Sequence, residues 1–431
     1  MRGVTTPRRK FLKGFATTTA VGLAASAPAS ADEQVTYLVT AASDSAKRNV
    51  ERAGYTVRNE IAAANVLLVA GPTDAADDIR SVNGVRRVAT DAAYELGDSP
   101  VEAADRTEDA EYADRQWDKQ VTEAFDAHET ATGEGTRIAV VDTGVDATHP
   151  DLTDNVNTDL GRSFIDGESG PDSGPVHYHG THVAGIAAAT GERGVVGTAP
   201  DAEIVPIRVF PKEGPLLERI SDCLLALDYA AEIGADAVNM SLGWSPRPPR
   251  ENQTSRGVRR VVCERVCRSV LQRGTSVVVS AGNSDADLQH GGYRYMWSSL
   301  QSTFAVSATG PNDERSFYSN YGTNTIDVGA PGGGYETLEK TLSPDTDWPY
   351  PTNLVLSTVP GGSYAYLAGT SMASPQVAGL AALVRELAPD ASPQQVHRAI
   401  ERNADLTPGA SDPELGAGRI NAARTVESLT E

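Results

Sequence analysis

Three short strings, far apart along the chain, carry the groups of an activated-hydroxyl site. They are Asp142-Thr143-Gly144, His179-Gly180-Thr181-His182 and Gly369-Thr370-Ser371-Met372-Ala373-Ser374-Pro375. A serine hydroxyl is a weak nucleophile until a base takes its proton. An imidazole can take that proton and return it to a leaving amine, and a carboxylate on its other nitrogen fixes the tautomer. A fourth string, Ser280-Ala281-Gly282-Asn283-Ser284, offers in Asn283 a side-chain amide able to donate to a developing oxyanion. Together these groups perform acyl transfer, with peptide bonds the foremost substrate.

Each string alone is an ordinary turn or helix start. Their joint occurrence, in the order Asp, His, Asn, Ser, carries the assignment. Asp142 ends the apolar run Ile138-Ala139-Val140-Val141, and parallel sheets bind ligands at the carboxyl ends of their strands. His179 opens a stretch of small residues that lets a helix pack close to a sheet. Ser371 stands at a predicted helix start, where the amide and the helix dipole favour negative charge. Pro375 is expected to be tolerated in or near the first turn. His182 and Ser374 read as structural residues, and His177 as a surface residue.

The elements that must position these groups follow from the pattern of apolar runs. Residues 137–141, 204–208, 237–240, 276–280, 304–308 and 326–328 read as buried strands, and 217–232, 256–272 and 371–387 as helices. Buried strands separated by helices indicate a parallel sheet covered on both faces, an α/β fold. Ahead of it, residues 35–89 read as a small βαββαβ unit of ferredoxin-like type. Its strands are 35–40, 55–59, 65–70 (central) and 85–89; its helices are 43–53 and 73–82, with Thr73 as N-cap. Residues 98–115 are acidic and lose apolar periodicity, which predicts a linker with a processing site.

Residues 1–31 read as an export leader. Arg8-Arg9-Lys10-Phe11-Leu12-Lys13 has the twin-arginine pattern, and Ala29-Ser30-Ala31 a small-x-small cleavage site. No later run reaches about 18 apolar residues, the length a membrane span needs, so no membrane partner is expected after processing. The organisation is thus 1–31 leader, 32–97 N-terminal unit, 98–115 linker and 116–431 main α/β domain.

Lys and Arg number 37 against 58 Asp and Glu, a formal charge of -21. That balance excludes the basic stripe of a nucleic-acid binder. Only six of the cations are Lys. An acidic, Lys-poor chain predicts adaptation to strong salt, where screening removes self-repulsion. Cys223, Cys263 and Cys267 form neither a disulfide scaffold nor a zinc set. They read as small buried apolar residues, with one bridge from Cys223 to either of the others as the second reading.

With these residues in view, the chain over 116–425 resembles the subtilases, the subtilisin-type serine proteases. Asn239-Met240-Ser241-Leu242-Gly243, Ala330-Pro331-Gly332 and Gly416-Ala417-Gly418-Arg419-Ile420-Asn421-Ala422 extend the likeness. The order Asp, His, Ser is subtilisin's own, so it is part of the likeness and not an independent derivation. The acidic, twin-arginine-exported form is similar to a haloarchaeal halolysin precursor, with no further domain expected after the catalytic one.

The resemblance implies a secreted serine endopeptidase with Asp142, His179 and Ser371 as triad and Asn283 in the oxyanion hole. It implies that Ser241, Leu242 and Gly243 form one wall of the substrate cleft, and Ala281 and Gly282 the other. It implies that 32–97 is a propeptide, both inhibitor and folding chaperone, and that the partners are protein or peptide substrates. Residues 285–303 would floor the specificity pocket. It implies calcium as the one cofactor, at Asp151, although the loop 190–197 is short and lacks Asn. Gln376 replaces a histidine common in the family and is expected to matter little; Ala368 replaces a polar residue. A ligase on the same scaffold and a non-catalytic exported binding protein are the competing readings.

Overall fold

A computed structural model of the chain describes residues 34–43, 45–103, 115–243, 255–289, 297–343, 353–406 and 412–430. The predicted leader lies outside them. The N-terminal unit is β1 (Gln34–Ala41), α1 (Ser45–Arg52), β2 (Thr56–Ile61), β3 (Val66–Pro72), α2 (Ala76–Ser81) and β4 (Val85–Thr90). Its sheet has the order β2-β3-β1-β4 and every pairing is antiparallel. The two central strands are apolar on both faces because both faces are covered. Tyr37, Val39, Leu67 and Val69 pack with Val50 of α1 and Ile79 of α2. The alternate residues Leu38, Val66 and Leu68 belong instead to the core of the main domain. A period of two thus sends one side chain to each core. Thr73 does not cap α2, which starts three residues later. The Ala75 amide instead donates to Pro72 O and to the Tyr37 hydroxyl, at 3.1 Å each.

The chain continues through β5 (Ala93–Glu95), β6 (Val101–Ala103), α3 (Trp117–Val121), α4 (Ala124–Ala127), β7 (Arg137–Asp142), β8 (Arg162–Ile165), β9 (Glu168–Gly170), α5 (Tyr178–Ala188), β10 (Glu203–Arg208) and β11 (Leu217–Arg219). Then come α6 (Ile220–Glu232), β12 (Ala237–Met240), α7 (Ser255–Gln272), β13 (Ser276–Ser280), β14 (Phe304–Thr309), β15 (Val328–Pro331), α8 (Leu338–Leu342), β16 (Val355–Val359), β17 (Ser363–Ala368), α9 (Thr370–Leu387), α10 (Pro393–Arg402), β18 (Asp405–Leu406), β19 (Gly418–Arg419) and α11 (Ala422–Glu427). The main sheet runs β18-β19-β15-β14-β13-β12-β7-β10-β8-β9. It is parallel throughout except for the β18–β19 and β8–β9 pairs at its edges. Ile138 and Val140 face the core built on α5 and α9, while Ala139 and Val141 face the core built on α6 and α7. This two-sided burial makes the strands continuous apolar runs. No helix among the described residues is long and apolar enough to cross a membrane.

Three expectations move. The strand expected at 326–328 lies at Val328–Pro331. The helix expected from 217 begins at Ile220, because Leu217–Arg219 is a strand paired with β5. The linker expected from 98 opens with a strand, Val101–Ala103, paired with β17. Isolated three-residue strands have no periodicity to read, since their partners lie more than a hundred residues away. The three cysteines are buried free thiols, so no bridge forms from Cys223.

The N-terminal unit docks on α6 and α7. Arg259 of α7 donates to Thr90 O at 2.7 Å. Asp91 accepts from the Ser221 amide at 3.2 Å and its hydroxyl at 2.6 Å, capping the first turn of α6. Beside it Asp222 accepts from the Gly167 and Asp166 amides at 2.7 and 3.0 Å. Burial is the main cause that pushes both carboxyls up, Asp222 to about 7. A carboxyl raised on folding stabilises fully below its unfolded pKa of 3.8, and that contribution is lost as pH rises toward 7. Equilibrium urea unfolding should therefore show about 2 kcal/mol less stability at pH 8 than at pH 5 from Asp222 alone. Asp222→Asn should flatten that slope; an unchanged slope would remove Asp222 as its source.

Candidate active site

The carboxyl ends of β7, β12 and β13 converge on the amino ends of α5 and α9. Asp142 is the last residue of β7 and is fully buried. Its carboxylate accepts from the following amide, Thr143 N, at 2.7 Å. The exit turn needs Gly144: its φ is +90°, and a Cβ there would meet Gly174 O at 2.2 Å. Helix α5 presses on the same turn, and a Cβ on Gly180 would lie 2.4 Å from Gly144 O. This close approach brings His179 Nδ1 within 2.9 and 3.0 Å of the two Asp142 carboxylate oxygens. Nδ1 therefore carries the proton it donates, which leaves Nε2 the basic nitrogen.

His177 is not a plain surface residue. It is half-buried, stacks on Tyr178 with centroids 4.0 Å apart, and caps α5 by accepting from the His179 amide at 3.4 Å. The position before a helical run was the signal available for it. His182 is structural, as expected. It is fully buried with Nε2 3.0 Å from Ala365 O, and burial pulls its pKa down to about 3, so it stays neutral.

Ser371 is the second residue of α9, and its hydroxyl donates to Ser241 O at 3.3 Å. Pro375 lies within this helix, so the Ser371 carbonyl lacks the amide donor expected four residues on. The Ser241 hydroxyl fills the gap, donating to Ser371 O at 2.9 Å. It is held in turn by Asn239 Nδ2 and lies 2.9 Å from Ser374 Oγ. Ser241 thus fastens the helix turn that presents Ser371.

Asn283 follows β13. Its Oδ1 accepts from the Thr370 amide at 2.9 Å and the Thr370 hydroxyl at 2.8 Å. With the oxygen held, the Nδ2 donors are left for the cavity. His179, Ser371, Asn283, Ser241, Leu242, Gly243 and Gly282 line one cavity of about 140 Å³. Ala281 does not line it: it is fully buried, its amide donates to Val306 O and its carbonyl accepts from Asn320. Of the expected pair Ala281 and Gly282, Gly282 lines the cavity, together with Ser280 and Ser284. Part of the expected pocket floor, 290–296, lies outside the described residues; Trp297 is fully buried.

Gln376 matters more than its replacement of a histidine suggested. Its Oε1 accepts from Lys119 and from Thr198 Oγ1, and its Nε2 donates to Asp118 Oδ2 at 2.7 Å. Lys119, fully buried, also donates to Ile186 O at 3.1 Å. This network ties α9, α5 and α3 together beneath the site, and the sequence around residue 119 carries no motif that announces it.

Protein donors hold Asp151, the residue at which calcium is expected. Its carboxylate accepts from the amides of Arg193, Gly194 and Val195 and from the Tyr364 hydroxyl. Those donors compete for the lone pairs that a hard cation would use. No cluster of three His, Cys, Asp or Glu suited to a metal occurs among the described residues. Asp151→Ala should cost about 3 kcal/mol, since it strands buried donors. Urea unfolding in calcium and in chelator should give the same loss. A loss confined to calcium would restore the metal.

Residues 133–418 match the model of the subtilase family, peptidase S8. Thermitase of Thermoactinomyces vulgaris is 35% identical over 321 residues, covering 74% of this chain and 98% of its own. Subtilisin BL of Lederbergia lenta is 37% identical over 292 residues, covering 68% of this chain and 90% of its own. Among solved structures, the epidermin leader peptide processing serine protease of Staphylococcus aureus superposes with a TM-score of 0.77. It is 22% identical, covers 93% of this chain and 99% of its own, and speaks for the fold alone.

Proposed function

The chain belongs to the subtilase family and is a serine endopeptidase, and from that premise we propose that Ser371 is its nucleophile, His179 its base and acid, Asp142 the group that orients His179, and Asn283 an oxyanion donor. The observation that carries this reading is the paired contact of the Asp142 carboxylate with His179 Nδ1, in the cavity that Ser371 and Asn283 also line. Ser371 Oγ attacks the scissile carbonyl carbon as His179 Nε2 takes its proton. The oxyanion is met by Asn283 Nδ2 and the Ser371 amide. His179 returns the proton to the leaving amine, and water repeats the cycle on the acyl-enzyme. A fluorophosphonate probe should label Ser371 and nothing else. Failure to label the folded, processed protein would end this reading and favour a binding protein.

The N-terminal unit we read as a ferredoxin-like propeptide, inhibitor and folding chaperone in one. Its βαββαβ order, its antiparallel sheet and the Asp91 cap on α6 support this. So does the segment after it, whose residues Leu96, Gly97 and Asp98 line the same cavity as Ser371. The relatives include an extracellular protease of Xanthomonas campestris, and with the twin-arginine leader this favours an exported enzyme.

The charge of -21 supports a salt-adapted enzyme of halolysin type. At 1 M salt the screening length is about 3 Å, against about 10 Å at 0.1 M, so dilution restores repulsion among surface carboxylates. Melting temperature and casein cleavage should both fall as salt is removed. Undiminished values in dilute buffer would refute the adaptation without touching the protease assignment.

A further inference from the structure

A second cavity, of about 470 Å³, lies in the seam between the N-terminal unit and α7 and shares no lining residue with the catalytic one. Arg86 and Arg87 of β4 line it from one side, and Arg265 and Arg268 of α7 from the other. No Asp or Glu among the described residues lines it. Four guanidiniums thus share one concave space in a chain of formal charge -21. Little in the fold neutralises them. Arg86 and Arg87 are exposed and make no side-chain hydrogen bond or ion pair among the described residues. The Arg265 guanidinium donates to Ala41 O at a long 3.4 Å. Arg268 pairs with Glu264 at 3.1 Å, but Glu264 also accepts from the Gln301 amide at 2.9 Å and the Ser302 hydroxyl at 2.8 Å, and it is not part of the lining. Helix α7 ends beside the cavity at Gln272, and its dipole supplies about half a negative charge there. That offsets a fraction of one cation and leaves the rest facing one another across the seam.

We propose that this cavity binds a small, multiply charged oxyanion of the phosphate type, and that the anion fastens the N-terminal unit to the main domain. A guanidinium fork matches phosphate oxygens in pairs. Asn65 and Gln272, also in the lining, carry neutral side-chain amides able to donate to the remaining oxygens. The place of the cations favours a small ion over a macromolecule. A nucleic acid or an anionic membrane would have to lay a wide surface against a chain of net charge -21. A small ion need approach only the seam.

The four cations come from both sides of the seam, so only the docked arrangement presents the full set. An anion that binds this arrangement and neither part alone favours docking by a factor of one plus its concentration over Kd, about tenfold at ten times Kd. Its charge also removes the repulsion between the two arginine pairs. Docking of the N-terminal unit thereby depends on an ion that never touches Ser371, and the binding is independent of how Ser371 reacts.

Titration calorimetry and melting curves on the full-length chain test this, with inorganic pyrophosphate as the probe and Ser371→Ala to keep the chain whole. Ionic strength is held constant by exchange against potassium chloride, at a concentration where the chain is folded. One pyrophosphate per chain should bind with a sub-millimolar Kd and raise the melting temperature above its value in chloride. Arg86→Gln with Arg87→Gln, and separately Arg265→Gln with Arg268→Gln, should each weaken binding about tenfold or more, the scale of a lost hydrogen bond between charged groups. Should either pair fail to fold, the single variants Arg87→Gln and Arg265→Gln serve, each with a weakened Kd expected. Arg48→Gln with Arg52→Gln removes the same charge from exposed positions of α1 and should leave binding unchanged. No binding by the parent chain overturns the proposal. So does a loss in the α1 variant equal to the others, which would reduce the effect to bulk charge. A loss from one side of the seam only overturns the fastening of the two parts.

Discussion

Ser371→Ala leaves the chain at full length and removes casein cleavage. The expected loss in kcat is about 10⁶, the scale found for the nucleophile in the relative subtilisin. His179→Ala should lose about as much, and the double variant no more than either alone, because a base without a nucleophile contributes nothing. A residual rate of about 10³ to 10⁴ over water should persist from the oxyanion donors and binding. The loss is chemical and not structural. The Ser371 hydroxyl makes one long bond, 3.3 Å to Ser241 O, so its removal should lower stability by less than about 1 kcal/mol. The check is a casein assay, intact mass and a melting curve on one preparation. Retained cleavage with retained folding would move the nucleophile elsewhere, and Ser374 would be the first place to look.

What could be read from the sequence divides along a physical line. The strands of the main sheet were legible because burial on both faces makes them unbroken apolar runs, as at Ile138-Ala139-Val140-Val141. The residues of the proposed triad were legible as candidates because each sits at an element end with small neighbours that permit close approach; the glycines at 144 and 180 are required by contacts of 2.2 and 2.4 Å. Interactions whose two halves lie far apart were not legible. Leu217–Arg219 looks like the start of α6 until β5 is laid beside it. Val101–Ala103 looks like an acidic linker until β17 supplies its partner. The network of Asp118, Lys119 and Gln376 joins residues 257 or more positions apart and has no local signature. Asp151 has a hidden half of the same kind. A family position suggested a cation, and only the fold shows that the amides of residues 193–195 donate to the carboxylate.

Asn283→Ala should lower kcat by about 10² to 10³ with little change in KM, the signature of an interaction made only in the transition state. The reason lies in which end of the amide is tethered. Thr370 donates twice to Asn283 Oδ1, from its amide at 2.9 Å and its hydroxyl at 2.8 Å. The same hydroxyl accepts from the Gly282 amide at 3.0 Å. The oxygen cannot rotate into the cavity without breaking both bonds, so Nδ2 is oriented before substrate arrives. Two further variants separate orientation from mere presence. Asn283→Asp keeps the acceptor for Thr370 but sets a carboxylate against the oxyanion, and should fall below Asn283→Ala. Thr370→Val removes one of the two tethers and leaves the donor, and should cost about tenfold in kcat, in line with the loss of one hydrogen bond. Equal kcat for the Ala and Asp variants, or a Thr370→Val loss expressed in KM, would show that Asn283 acts on bound substrate and not on the oxyanion.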